Sequence, residues 1–300
     1  MTILITGATG LVGTALTELC LEEGYTVHYL TTRKKKIIES PNYKGFYWNP
    51  AEKQIDTAAL ENVSCIIHLA GASISQRWTK SNKKKILDSR IESANLLYDT
   101  LKGNENSVRH FISASGIGIY PSSRTKLYSE ENTETGDNFL ARVVVAWELA
   151  ADRFKTLGID VAKIRTGLVL SAKEGALPQM IKPIKLGLGA PLGSGKQWHS
   201  WIHIEDIARI YLSVIANERE GIFNAVAPTP VTNSKLMYQL ARKLDAPYWL
   251  PNVPAFALKL ALGEMSMLLL EGQLVRSEKF AAFGFTFIHF NLESALNDLL

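Results

Sequence analysis

Short apolar runs alternate with amphipathic stretches through the first half of the chain. Runs rich in β-branched and aromatic residues predict strands, and apolar residues at helical spacing predict the helices between them. The predicted strands cover 2–6, 25–31, 63–69, 110–115 and 161–165, and the predicted helices cover 11–23, 91–102 and 137–157. Strands that alternate with helices indicate an α/β fold, in which a doubly wound parallel sheet carries helices on both faces.

The pattern changes after Leu170, where glycine- and proline-rich segments replace the regular alternation. A strand-like run and a short helix follow, and a second helical part begins near Asn233 and continues to the C-terminus. We therefore predict a sheet domain and a smaller mixed α/β lobe. The sheet domain is assigned 1–170 with 201–226 returning to it, and the lobe is assigned 171–200 and 227–300.

Composition narrows the class of protein. The 300 residues are 46% apolar and 21% charged, which is typical of a globular protein. The net charge is only +4, from 33 basic and 29 acidic residues, and does not indicate a nucleic-acid partner. The N-terminus lacks a signal-peptide pattern, and Lys259 and Glu264 interrupt the most apolar late stretch. We therefore expect a cytoplasmic protein with no membrane partner.

Candidate metal ligands are few. Cys20 and Cys65 are the two cysteines, and they form no CxxC pair. His199 and His203 have the spacing of a helical zinc pair. The residues between them read as a strand, however, in which four positions span roughly 13 Å. We therefore predict no metal site.

A glycine-rich turn, TGATGLVG at residues 6–13, lies between the first predicted strand and the first predicted helix. This context is the one that a dinucleotide-binding motif requires. Gly7 makes the tight turn, Gly10 lets the backbone approach a pyrophosphate, and Gly13 lets the helix pack closely on the strand. The alternative is a glycine-rich turn without a ligand. The motif predicts a Rossmann-type fold, and the cofactor-binding residues predicted here are Gly7, Thr9, Gly10, Leu11, Val12 and Gly13.

The end of the second predicted strand indicates which dinucleotide is bound. An acidic residue at that point would accept a hydrogen bond from the ribose 2′-hydroxyl of NAD. The sequence instead has Arg33 and Lys34, and no acid occurs before Glu39. A guanidinium binds a 2′-phosphate in a bidentate manner, so we predict NADP(H) as the cofactor. The alternative is that this basic run is a solvated loop.

Several motifs together resemble a known family. HLAGA at 68–72, SAS at 113–115 and WIHIEDIA at 201–208 are similar to those of extended short-chain dehydrogenase/reductases. QRW at 76–78, DSRI at 88–91, RTGLVL at 165–170 and LLLEGQLV at 268–275 resemble the epimerase-family proteins of the 39U type within that group. The resemblance covers nearly the whole chain and implies an atypical member of this family, similar to nucleoside-diphosphate-sugar epimerases.

The resemblance also implies site residues. It places Leu69 and Ala70 along the cofactor, Arg90 in contact with it, and Ser115 at the position of the catalytic Ser or Thr. Further positions in the matched motifs are assigned to the cofactor, namely Gly71, Ser113, Arg165 and Gly167.

The catalytic pair of the wider superfamily, Tyr-x-x-x-Lys, is missing. In that pair the Lys lowers the pKa of the Tyr, which titrates at about 10 when unperturbed. In extended members of the resembled family, a Glu often follows the Lys by four positions. Counting back from Glu148 on that pattern places Val144 at the Lys position and Leu140 at the Tyr position, and neither can move a proton. A Tyr-x-x-x-Lys at 98–102 precedes the SAS motif, so we interpret it as packing. Proteins of the 39U type also depart from the pair.

The remaining candidates for chemistry are Ser115 and Tyr120 as catalytic residues, and Lys196, Trp198 and His199 as substrate residues in a glycine-rich loop. The alternatives are a structural tyrosine and a packed or mobile lid.

Two functions remain open. The first is an NADP(H)-dependent oxidoreductase or epimerase that acts on a small or nucleotide-sugar-like substrate. The second is a non-catalytic NADP(H)-binding sensor or scaffold. A second copy of the chain is a candidate partner, with residues 268–270 as part of the face between the copies.

Overall fold

A central sheet organises the chain, and the computed structural model describes residues 1–300. The strand order is β13 (Gly221–Ala225), β9 (Asp160–Thr166), β7 (His110–Gly116), β6 (Val63–His68), β1 (Thr2–Thr6), β2 (Thr26–Thr31), β4 (Tyr43–Asn49) and β3 (Glu39–Ser40), with β5 (Gln54–Ile55) paired to β4 at the edge. Every pairing from β13 to β4 is parallel, and the two-residue strands β3 and β5 add antiparallel edges. The predicted α/β fold with a doubly wound parallel sheet is confirmed.

The strands are β1 Thr2–Thr6, β2 Thr26–Thr31, β3 Glu39–Ser40, β4 Tyr43–Asn49, β5 Gln54–Ile55, β6 Val63–His68, β7 His110–Gly116, β8 Leu127–Tyr128, β9 Asp160–Thr166, β10 Leu168–Leu170, β11 Trp198–His199, β12 Trp201–His203, β13 Gly221–Ala225, β14 Val231–Thr232 and β15 Leu274–Val275. The helices are α1 Leu11–Glu22, α2 Lys80–Gly103, α3 Phe139–Asp152, α4 Ala176–Lys185, α5 Ile204–Ala216, α6 Asn233–Lys243, α7 Ala255–Leu262, α8 Met267–Leu270, α9 Glu278–Ala282 and α10 Leu292–Leu299.

The sheet is covered on both faces, as its continuous apolar strands require. Along β1, Ile3 and Ile5 pack into the cluster that contains residues of α1 and α5. Leu4 points the other way, into the cluster formed with α2 and α3. All three side chains are fully buried. The alternation of side chains along a strand therefore serves two cores.

Strand β4 and helix α2 are two of the elements that differ from the sequence prediction. Strand β4 was not predicted, since Lys44 and Gly45 interrupt its apolar pattern. A Cβ at Gly45 would lie 2.4 Å from the ring of Tyr29, so glycine makes room for that side chain within the sheet. Helix α2 begins at Lys80, eleven residues before the predicted start at 91, after Thr79 accepts a hydrogen bond from the backbone of Asn82. Its first turns are too polar to show an apolar periodicity.

The C-terminal part has its own apolar cluster, to which α4, α6 and α10 contribute. Phe280 of α9 instead packs into the core of the sheet. It lies within the segment assigned to the lobe, so the segment contacts both cores. The division into two domains stays a prediction. Among the ten helices, none combines the length and the hydrophobicity needed to cross a bilayer.

Candidate cofactor and substrate clefts

The glycine-rich turn forms a tight cradle between β1 and α1. Gly7 has a φ of +72°, a region that favours glycine. A Cβ at Gly13 would lie 2.1 Å from the Gly7 carbonyl oxygen, so only glycine lets the helix come this close. The N-cap residue of α1, Gly10, makes no side-chain cap. The first N–H groups of the helix are therefore available to an anion.

The cradle opens into a cleft of about 840 Å³, the first cleft. Its walls come from the cradle, the end of β2, the turn 70–72 and the first half of α2. Arg33 and Lys36 line it, whereas the ammonium of Lys34 lies 4.9 Å from the centre of the Tyr47 ring. The first acid after β2, Glu39, pairs with Lys44 at 2.9 Å. The end of β2 thus presents cations and no carboxylate to the first cleft.

Two lysines that the sequence analysis left out also line the first cleft. Lys84 and Lys85 belong to the basic run at the start of α2, which reads as a solvated face in the sequence. Lys84 pairs with Asp88 one turn later, and Lys85 makes no ion pair. The signal that could have found them is the extension of α2 toward its N-terminus, which brings this run beside Arg33.

A buried chain of hydrogen bonds fixes the turn that follows β6. Thr6 Oγ1 accepts from the backbone N–H groups of Leu69 and Ala70, so its own proton is free to go to His68 Nδ1, 2.8 Å away. His68 Nε2 then donates to Ser93 Oγ at 3.1 Å, a tautomer assigned from this network. Burial lowers the pKa of His68 to about 4, so the ring is neutral. Leu69 and Ala70 are thereby held against the cradle.

Arg90 is a half-buried cation without a carboxylate partner. Its Nη1 donates to the carbonyls of Ala72 and Ile86, at 3.2 and 2.7 Å, and its guanidinium lies over the ring of Trp147. The Nε of Arg90 and the Nε1 of Trp147 have no hydrogen-bond partner. Burial lowers the pKa of Arg90 to about 10. An anionic group beside Gly71, where Arg90 lies, would relieve this cost.

A second cleft of about 550 Å³ continues beyond the turn 69–72, and most of its wall is apolar. Leu140 and Val144, the replacements for the catalytic pair, both line it. Ser115 also lines it, and its hydroxyl donates to Glu148 Oε1 at 2.6 Å. Gly167 lies at its back, where a Cβ would be 2.2 Å from the Ser200 carbonyl oxygen.

Beneath Ser115 lies a buried polar network. Arg165 binds Glu148 through two hydrogen bonds, of 2.8 and 2.9 Å. Arg165 Nη1 also donates to the Tyr120 hydroxyl at 2.9 Å, and this hydroxyl lies 2.9 Å from Asn224 Oδ1. Tyr120 is fully buried, and burial raises its pKa. Neither Tyr120 nor Arg165 lines either cleft.

This placement differs from the predicted roles of three residues. Tyr120 was expected to offer a phenol to substrate, and Arg165 and Ser113 were assigned to the cofactor. The guanidinium of Arg165 is taken up by Glu148, because a buried carboxylate needs a paired cation. Ser113 is buried within the sheet and donates to the Ala114 carbonyl. In this structure all three support the sheet beneath the second cleft.

The glycine-rich loop brings two of its three candidates to the second cleft. Trp198 and His199 line it, and burial lowers the pKa of His199 to about 4. Lys196 is exposed and lies outside the lining. Gln197 Nε2 donates to the carbonyls of Leu192 and Leu269, so the loop is tied to the C-terminal segment. The packed alternative describes this loop better than a mobile lid.

Glu271 is a polar residue of the second cleft that sequence reasoning missed. Burial raises its pKa, and the nearby charge of Asp137 raises it further. The next residue, Gly272, would place a Cβ 2.1 Å from the Trp198 carbonyl oxygen, so Glu271 is fixed beside the glycine-rich loop. A single acid within the apolar run LLLEGQLV was the available signal.

One cluster has side chains that could suit a metal ion, formed by His203, Glu205 and His289. His203 Nδ1 accepts a hydrogen bond from the backbone N–H of Glu205, so the proton of the neutral ring is on Nε2. That nitrogen lies 3.2 Å from Asp298 Oδ2. Nε2 makes no hydrogen bond, and the lone pair on Nδ1 is already used by the Glu205 N–H, so His203 has no free lone pair for a metal ion in this arrangement.

Two family models match the chain, and the first of them describes proteins that use a dinucleotide cofactor. The model of the NAD dependent epimerase/dehydratase family matches residues 3–225, and that of a domain of unknown function, DUF1731, matches residues 253–299. Epimerase family protein SAR0825 of Staphylococcus aureus (strain MRSA252) is 38% identical over 300 residues, which are 99% of this chain and 98% of that protein.

Two solved structures are similar at comparable identity. Human epimerase family protein SDR39U1 (isoform 2), crystallised with NADPH, has a TM-score of 0.86 and 30% identity, over 100% of this chain and 99% of that chain. The nucleoside-diphosphate sugar epimerase from Corynebacterium glutamicum has a TM-score of 0.79 and 29% identity, over 100% of this chain and 58% of that chain.

Proposed function

The chain belongs to the NAD dependent epimerase/dehydratase family and resembles the 39U-type members, which are atypical extended short-chain dehydrogenase/reductases. From this premise we propose that the protein is an NADP(H)-dependent oxidoreductase or epimerase. The observation that carries the proposal is a complete cofactor cradle with a second cleft beside it, lined by Leu11 and Val12 of the same segment. A protein that only held the cofactor would need no such cleft.

The residues present fit the cofactor. The cradle has the close approach that a Cβ at Gly13 would block, and the N-terminus of α1 would hold the pyrophosphate. Arg33, with Lys36 and Lys85, would surround a 2′-phosphate. When bound, NADP(H) supplies or accepts a hydride at its nicotinamide ring.

Within the second cleft, Ser115 is the residue that we assign to the substrate oxygen. Its hydroxyl is fixed by Glu148, and Arg165 fixes that carboxylate in turn. Because its proton goes to Glu148, the Ser115 hydroxyl can accept a hydrogen bond from an alcohol O–H of the substrate and hold that oxygen in place. Leu140 and Val144 exclude water from the position of the missing pair. Tyr120 keeps a structural role in this proposal.

The second candidate function, a non-catalytic sensor or scaffold, is favoured by Leu140 and Val144 alone. The two functions differ in turnover. We expect the protein to consume NADPH with at least one member of a panel of aldehydes, ketones and quinones, followed by absorbance at 340 nm. Binding of NADPH without turnover on any member would favour the sensor. The cytoplasmic location and the homodimer stay predictions.

A further inference from the structure

The second cleft has an unusual balance of charge for a family associated with nucleotide sugars. Its lining contains one basic side chain, Arg90, and one acidic side chain, Glu271. His199 is neutral, because burial lowers its pKa to about 4. No other residue of the lining carries a charge. A ligand here would meet no excess of positive charge.

Arg90 lies at the side of the second cleft that is next to the cradle. Its guanidinium lies against Gly71, which lines both clefts, and a Cβ there would be 3.0 Å from Arg90 Cζ. On the proposed function, this is the cofactor side, next to the cradle. Arg90 is therefore placed to bind an anionic group of the cofactor. The rest of the lining of the second cleft contains no other basic side chain.

The helix ends around the second cleft offer little in place of a cation. The N-terminus of α1 faces the cradle, where the cofactor pyrophosphate would lie. At the N-terminus of α3, Asn138 Oδ1 already accepts from the Ala141 N–H at 2.9 Å, which leaves only the N–H groups of the first two residues. Among the basic residues of the loop, Lys196 is exposed and lies outside the lining. A diphosphate in the cleft would be desolvated without compensation.

The acidic end of the cleft adds repulsion. Glu271 lies in the lining, and Asp137 is close enough to raise its pKa. Lys259 acts on Glu271 in the opposite direction, but this weakest influence leaves the shift upward. A ligand with two negative charges would therefore meet acids at this end of the cleft.

The rest of the wall favours apolar contacts. The apolar side chains of the lining that lie outside the cradle and the turn 69–72 include Ile74, Leu140, Val143, Trp147, Met267 and Leu268. A few polar groups interrupt this wall, among them Ser115 and Gln273. Such a mixture binds a largely apolar molecule and orients it through one or two hydrogen bonds.

We infer that the second cleft takes an uncharged carbonyl compound, or the corresponding alcohol, with an apolar body, and that it does not take a nucleotide sugar. This inference rests on the proposed function and names its substrate class. Ser115 would accept a hydrogen bond from the O–H of the alcohol, and the wall around Leu140 and Leu268 would cover the apolar body of either compound.

The test is a calorimetric titration of the protein loaded with NADP⁺, which cannot reduce a ketone. The probes are 4-phenyl-2-butanone, 2-decanone and UDP-glucose. We expect at least one ketone to bind and UDP-glucose neither to bind nor to displace it. Leu268→Asp should weaken ketone binding at least tenfold with NADP⁺ binding unchanged. Leu260→Asp, on the exposed face of α7, is the matched control and should leave both unchanged.

The outcomes separate the two proposals. Binding of UDP-glucose to the loaded protein, binding of neither ketone, or ketone binding that Leu268→Asp leaves unchanged would overturn the substrate class while the cofactor proposal stands. Failure of NADP⁺ to bind in the first titration would overturn the proposed function, and the inference with it. A thermal melt of each variant establishes that it is folded.

Discussion

The two clefts are built in different ways. The first combines a backbone cradle, in eight consecutive residues at 6–13, with a lining that holds four cations and the two acids Asp88 and Glu92. The second is formed by apolar side chains from segments between Leu11 and Gln273. A cradle for phosphate depends on backbone shape and fixed charge, whereas an apolar cleft depends on which distant side chains meet. The first cleft is therefore the part of the site that specifies its ligand most narrowly.

The largest expected effect concerns the network beneath the second cleft. Glu148→Ala leaves Arg165 buried without its partner, and we expect a loss of about 3–5 kcal/mol in the free energy of unfolding. The side chains of Arg165 and Glu148 are 6% and 8% exposed. Denaturant unfolding measures the loss. The control is Glu218→Ala, which removes a pair whose side chains are 58% and 57% exposed and should cost under about 1 kcal/mol. Equal losses in the two variants would refute a structural role for the network.

The next effect concerns the cradle. Gly13→Ala places a Cβ 2.1 Å from the Gly7 carbonyl oxygen, so the helix must move away from the turn. We expect NADPH affinity to fall at least about 100-fold, which is ~2.7 kcal/mol. Calorimetric titration measures it. Gly103→Ala is the matched control, because a Cβ there meets nothing within 4 Å. NADPH affinity that survives Gly13→Ala would contradict the proposed cradle.

The choice between the two dinucleotides sharpens the comparison further. Arg33→Glu replaces the charged donor of the first cleft with a carboxylate, and we expect NADPH affinity to fall about 10- to 100-fold with NADH affinity unchanged or higher. Lys34→Glu changes the same charge one residue later, but Lys34 lies over Tyr47 and outside the lining. It should have a much smaller effect. If Arg33→Glu and Lys34→Glu lowered NADPH affinity equally, the affinity would come from the overall positive charge of this segment and not from a contact between Arg33 and the 2′-phosphate.

The smallest effect is a dependence on pH in the second cleft. Burial lowers the pKa of His199 from 6.5 to about 4, so between these values the unfolded chain takes up a proton that the folded protein does not. The contribution of His199 to stability is complete above pH 6.5 and decreases as the pH falls toward 4. At about pH 6 the loss should be about 1 kcal/mol. The free energy of unfolding, measured at a series of pH values in this range, should change less steeply with pH in His199→Asn than in the unaltered protein. An unchanged slope would show that the ring is not buried.

The contrast between a cleft built from adjacent residues and one built from distant residues also explains which parts of the site could be predicted from the sequence. The cradle and Arg33 could be predicted because the contributing residues are adjacent and their spacing has a chemical meaning. Lys85 was missed because a polar run at a helix start resembles solvent-exposed surface. Ser115 was assigned to the site, but its partner Glu148 is 33 positions away.

The strands follow the same rule. β1 and β6 could be predicted from their continuous apolar runs. β4 could not, because Gly45 is explained only by the ring of Tyr29 beside it. Tyr120 was assigned to catalysis on its position near the SAS motif, and only the packing around Asn224 and Arg165 shows that it is buried. Long-range contacts of this kind leave no local pattern in a single sequence.

The central claim is that the first cleft binds NADP(H) in preference to NAD(H). Titration of the unaltered protein with NADPH and with NADH under identical conditions tests it directly. We predict that NADPH binds at least about tenfold more tightly, which corresponds to ~1.4 kcal/mol from the contact between Arg33 and the 2′-phosphate. Equal affinities, or tighter binding of NADH, would contradict the account.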